Sequence, residues 1–80
     1  MNAHNTSLTR FVLQQVIADV RKHDPEIKVS DAWVYKCGRD HWEFHFGKFY
    51  WHGSADNAYE ARSAGWSAYL RKQGAPEYAA

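Results

Sequence analysis

The sequence predicts an α+β fold: a two-layer α-β-β-β-α domain whose three-stranded antiparallel sheet carries both helices on one face. Three observations predict it. Residues 40–53 (DHWEFHFGKFYWHG) alternate aromatic and polar side chains with the period of two that a strand imposes. Stretches on either side of the strand region space apolar or small residues at helical intervals. Pro25, Gly38, Gly47, Gly74 and Pro76 punctuate the chain where such elements should end.

The first helix is expected from Thr6 or Ser7, either of which offers a side-chain oxygen as cap, to about His23. Met1 to Asn5 is polar and reads as frayed. Leu13, Val16, Ile17 and Val20 define the apolar stripe, and Leu8, Phe11 and Val12 widen it. Arg21, Lys22 and His23 fall at the C-terminal end, where positive charge opposes the helix dipole. Pro25 disfavours helix at Asp24 and ends the element. Glu26 to Asp31 reads as a linker, with Ile27 and Val29 as packing points.

Three strands follow. Gly47-Lys48 reads as a two-residue type II′ turn, because the first central position needs positive φ. That turn sets Phe46 opposite Phe49, His45 opposite Tyr50, Phe44 opposite Trp51 and Glu43 opposite His52. Trp42, Phe44, Phe46, Phe49 and Trp51 then share one face, and His41, Glu43, His45, Tyr50 and His52 share the other. The preceding strand is expected at Ala32 to Cys37, with Arg39-Asp40 as the tip of a short turn. Pairing outward from that tip sets Cys37 opposite Trp42, Tyr35 opposite Phe44 and Trp33 opposite Phe46 on the apolar face. On the reverse, Lys36 falls opposite Glu43 and Val34 opposite His45.

The second helix is expected from Asn57, whose spacing to Glu60 is that of a capping box with Asp56 as an alternative cap, to about Gln73. Ala58, Ala61, Gly65 and Ala68 form a small-residue ridge that suits a sheet face crowded with rings. Gly65 in mid-helix costs about 1 kcal/mol relative to Ala, which predicts a ring pressed against it. Trp66 lies roughly opposite that ridge; it and Tyr59 either face solvent or wrap the edge of the core. Gly74 is placed to end the helix and Pro76 stops continuation, leaving 76–80 as a loose tail.

Eighty residues make one domain, 1–80, with a small core. The aromatic content of 16 % compensates, since each buried ring removes roughly 150–250 Å2 from water. A net charge of +1 argues against an extended phosphate-binding surface. One cysteine, Cys37, permits no internal disulfide, and no apolar run is long enough for a membrane span or signal peptide. The expected compartment is the cytoplasm.

Five histidines raise a metal reading. His45 and His52 sit on neighbouring strands beside Glu43, but diagonally, and no ligand-spacing motif is present. The expectation is therefore no metal and no cofactor. Cys37 falls on the buried face in this register, and Ser54, Ser63 and Ser67 sit at a helix cap or helix surface, so no nucleophile stands beside a base and the chain is expected not to be an enzyme. The candidate partner-binding residues are those of the polar sheet face and its turns: Lys36, Arg39, Glu43, His45, Tyr50 and His52.

Trp42-Glu-Phe and Tyr50-Trp-His-Gly-Ser-Ala-Asp-Asn-Ala-Tyr-Glu-Ala-Arg62 resemble the sheet and helix of plant ethylene-response DNA-binding domains and phage integrase arm-binding domains. That resemblance implies a sheet face laid in a DNA groove. The element order also resembles double-stranded-RNA-binding domains, although Ala55-Asp-Asn-Ala58 stands where they carry lysines. Trp42-Glu-Phe-His and residues 49–66 look like small phage and prophage proteins, and the chain is similar in size to anti-CRISPR proteins. This last resemblance implies a phage-encoded inhibitor that binds a host CRISPR effector, a nucleoprotein complex, and blocks its engagement of DNA. The alternative expectation is a direct DNA binder using the same open face. No membrane association is expected, and the chain should be a monomer or a weak dimer through Tyr50 and Val34.

Overall fold

The computed structural model describes residues 3–79, with side chains from residue 8 onward. Helix α1 spans Ala3–His23, strands β1, β2 and β3 span Trp33–Lys36, His41–Phe46 and Phe49–Ser54, and helix α2 spans Ala58–Lys72. Single 3-10 turns lie at Val29–Asp31 and Pro76–Tyr78. The strands form one antiparallel sheet in the order β1-β2-β3. The α+β architecture is thus the expected one: α2 rests on the sheet, and α1 lies on the same side, packed chiefly on α2.

The β2–β3 hairpin has the expected register, from Phe46 opposite Phe49 to Glu43 opposite His52. Gly47 has φ 57, and Lys48 does not share a positive φ, as a type II′ turn requires.

The β1–β2 register is displaced by one residue from the expected one. Trp33 pairs with His45, Val34 with Phe44, Tyr35 with Glu43 and Lys36 with Trp42. The cause is the turn. A two-residue hairpin tip needs positive φ, and neither Arg39 nor Asp40 adopts it. The loop closes instead over three residues: the Cys37 and Gly38 amides both donate to the His41 carbonyl, at 2.9 and 3.2 Å. A shift of one residue exchanges the faces of the whole strand. Lys36 and Val34 therefore leave the open face for the helix side, and Trp33 and Tyr35 take their places. Val34 packs against the core, so it cannot serve a dimer through the open face. Cys37, expected to be buried, is exposed.

The core gathers Leu13, Val16 and Val20 of α1, Phe44 of β2, Trp66 and Leu70 of α2, and Ala75. Phe44 is 0 % exposed because α2 presents no side chain above it: a Cβ on Gly65 would lie 2.1 Å from Phe44 Cγ. Trp66 is also buried, its ring 5.1 Å from that of Phe44 at 70°. The single buried stripe expected of α2 was too narrow, since this helix has the sheet on one side and α1 on another. Tyr59 is half-buried against the same core.

The ends of α2 follow their local chemistry. Asn57 Oδ1 accepts from the Glu60 amide at 2.9 Å, and Glu60 Oε1 accepts from the Asp56 amide at 2.8 Å. At the other end Gly74, φ 83, closes a Schellman motif in which Ala75 donates to Leu70 and Gly74 to Arg71.

Helix α1 starts before Thr6 and Ser7, so neither is its cap, and Ala3 to Asn5 belong to the helix. Nothing in residues 3–7 breaks a helix: there is no Gly or Pro. Leu8, Phe11 and Val12 are exposed and do not widen the buried stripe. At about 100° per residue, Phe11 stands roughly 160° around the helix from Leu13. The tail is not loose through residue 78: Tyr78 donates its hydroxyl to Asp19 Oδ2 at 2.6 Å. The expectation of fraying at Met1, Asn2 and Ala80 lies outside the described residues.

Candidate docking face

The alternation of β2 and β3, together with the displaced β1, places Trp33, Tyr35, His41, Glu43, His45, Tyr50 and His52 on the side of the sheet away from the helices. The rings touch in sequence. Trp33 stacks on His45 with centroids 4.0 Å apart and planes 10° from parallel. His45 meets Tyr50 at 4.9 Å, Tyr50 meets His52 at 5.7 Å, and His52 meets His41 at 5.1 Å. Five rings thus cross all three strands without a gap.

Polar atoms hold this row in place. Glu43 Oε1 and His45 Nε2 lie 2.9 Å apart, which fixes the imidazole that supports Trp33. His41 Nε2 and His52 Nδ1 share a hydrogen bond of 3.0 Å. The Tyr50 phenol is pushed above its usual range, first by desolvation among its neighbours and then by the Glu43 carboxylate. Trp33, Tyr35 and Tyr50 remain 52 %, 57 % and 48 % exposed. Large rings held by polar contacts yet open to solvent are the residues that act as anchors when a partner covers them.

Of the candidate residues named from sequence, Glu43, His45, Tyr50 and His52 come together on this face. Arg39 is exposed on the loop between β1 and β2. Lys36 is not on the face: it lies opposite Trp42 on the helix side, its Nζ 6.0 Å from that ring's centroid. Trp33, Tyr35 and His41 complete the face. For Trp33 and Tyr35 the available signal was the missing glycine at Arg39-Asp40, which argues for a longer loop.

The metal reading built on His45, His52 and Glu43 does not assemble, because His45 turns to Glu43 and His52 turns to His41. Among the described residues no three His, Cys, Asp or Glu side chains converge on one point. Ser63, expected on a helix surface, is buried, and its Oγ has no hydrogen-bond partner among the described residues. A cleft of about 540 Å3 lies at the tip of the β2–β3 hairpin, lined by Phe46, Lys48, Phe49, Tyr50, Tyr69 and Lys72 among others. No helix among the described residues is long and apolar enough to cross a membrane.

No family model matches the chain, and neither a curated protein nor a solved structure does.

Proposed function

We propose that this chain is a non-enzymatic binding protein that docks through its open sheet face onto a host nucleoprotein complex, covering a protein surface and so keeping DNA from it. The concrete case is a phage-encoded inhibitor of a CRISPR effector, which the resemblance of residues 42–45 and 49–66 to small phage proteins suggests. The observation that carries the docking reading is the exposed row of Trp33, Tyr35 and Tyr50 on a sheet face that bears no Lys or Arg. Aromatic side chains at the centre with Lys and Arg confined to the margin, here Arg39 and Lys48 in the two turns, match the anatomy of a protein interface. A phosphate-tracking groove would reverse that distribution.

A second reading has a specific observation in its favour. An aromatic sheet face also suits the stacking of unpaired bases, and the outer face of Trp33 is available for it. The Glu43 carboxylate in the middle of the row opposes this reading.

The test is capture from a CRISPR-bearing bacterial lysate with the native chain and with Trp33→Ala/Tyr35→Ala. The native chain should retain an effector complex after nuclease treatment, leave a free DNA probe unshifted, and lose the complex in the double variant. Each anchor ring is expected to contribute about 2 kcal/mol of binding. Recovery of nucleic acid alone, or undiminished capture by the double variant, refutes the proposal.

A further inference from the structure

The geometry points to a second property of the open face: His41 and His52 form a two-ligand site for a divalent nickel or copper ion. The assignment is independent of the docking partner. It starts from the 3.0 Å between His41 Nε2 and His52 Nδ1. Two neutral imidazoles this close share one proton, with one nitrogen donating and the other accepting. The same two nitrogens, each with its lone pair free and its ring turned toward a common point, bracket a cation. With metal–nitrogen bonds of about 2.0–2.1 Å, nitrogens 3.0 Å apart subtend roughly 94° at the metal. An angle near 90° is that of adjacent positions in square or tetragonal coordination, the preference of Cu2+ and Ni2+.

Three features make the change from shared proton to bound ion inexpensive. Both histidines are exposed, so an ion reaches them and water fills the remaining positions. The ring that carries the shared proton carries it instead on its other nitrogen, and both rings turn so that the lone pairs, which face each other across the hydrogen bond, meet at the ion. No protein group among the described residues hydrogen-bonds either outer nitrogen, so solvent accommodates that tautomer. The backbones of β2 and β3 fix the spacing, with His52 directly across from Glu43, whose carboxylate adds negative charge beside the site. His45 is not a ligand, because its Nε2 is occupied by Glu43 and its ring by Trp33.

The test is calorimetric titration of the full chain, free of any affinity tag, with Ni2+ alone in a non-coordinating buffer. Nickel is chosen because the exposed Cys37 thiol would reduce Cu2+. The native chain should bind one ion. His41→Ala and His52→Ala should each weaken binding at least about tenfold, the loss that even outer-sphere changes produce at metal sites. A variant lacking the other three histidines and the thiol, H4A/H23A/C37S/H45A, should bind as the native chain does. Should an alanine variant melt early by circular dichroism, His41→Gln or His52→Gln replaces it and must give the same loss. No nickel uptake by the native chain, undiminished uptake without His41 or His52, or lost uptake in the fourfold variant overturns the assignment.

Discussion

The two faces of one sheet use the same residue types to opposite ends. On the helix side, Phe44 meets Trp66 and Phe49 edge to face, at 70° and 69°, and Gly65 and Gly53 stand where a methyl would run into the rings of Phe44 and Trp51. On the open side, Trp33 lies flat on an imidazole and keeps its outer surface in water. Edge-to-face rings close a volume from several directions, whereas a parallel stack leaves one full ring surface unspent. An 80-residue chain with 16 % aromatic residues therefore divides them between holding itself together and meeting something else.

The sharpest way to break that division is on the buried side. Phe44→Ala should cost about 3–5 kcal/mol in chemical denaturation, the loss expected for a fully buried ring. Gly65→Ala should cost at least about 2–3 kcal/mol, because the new methyl falls inside the Phe44 ring and near its Cβ, which cannot swing away. The double variant should cost less than the sum, since removing the ring makes room for the methyl. Trp33→Ala on the open face should cost no more than about 1 kcal/mol, the scale of a single stacked pair. Equal losses on the two faces would mean that the open row is also structural.

Which parts of this arrangement were legible in advance depended on whether one residue alone fixed the local geometry. Gly47 did so for β2–β3, since positive φ there leaves one register. Asn57 with Glu60, and Gly74, did so for the ends of α2. Gly65 announced a ring above it, and Phe44 is that ring. The β1–β2 connection had no such residue. A two-residue tip at Arg39-Asp40 gives an unbroken apolar face, and the three-residue loop that forms instead does not. The same displacement changes the candidate site: Lys36 leaves the open face, and Trp33 and Tyr35 join it. The sequence leaves Trp66 open between solvent and core for a different reason. Helical spacing gives the direction of each side chain but not how many neighbours a helix has, and α2 has two.

The next effect tests whether the tail belongs to the core side. Tyr78 is pushed up to about 12, first by burial, then by its hydrogen bond to Asp19 and by the neighbouring carboxylates. The fold thus favours the protonated phenol. Below pH 10 folded and unfolded chains both hold that proton and the contribution is complete. Between pH 10 and 12 the unfolded chain releases it first, so stability falls as pH rises. Tyr78→Phe should lose about 1.5–3 kcal/mol at pH 8, the value of a hydrogen bond to a charged acceptor. The difference between variant and native chain should shrink by pH 11. No loss at pH 8 would mean that the hydroxyl contributes nothing to the docking of residues 76–78, and a loss that stays constant to pH 11 would mean that the fold does not hold its proton.

The smallest effect decides the register. Lys36 and Tyr35 are adjacent in β1 and emerge on opposite sides of the sheet. Lys36 reaches only the ring of Trp42, at 6.0 Å, an exposed cation–π contact worth about 0.5–1 kcal/mol. Lys36→Ala should therefore lower stability by at most that amount and leave partner capture unchanged. Tyr35→Ala should leave stability nearly unchanged and weaken capture. Had β1 closed over a two-residue turn, the two variants would exchange their effects, because Lys36 would stand beside Glu43 on the docking face and Tyr35 would lie under α2. Measuring both variants in denaturation and in capture separates the two registers without reference to which partner is bound.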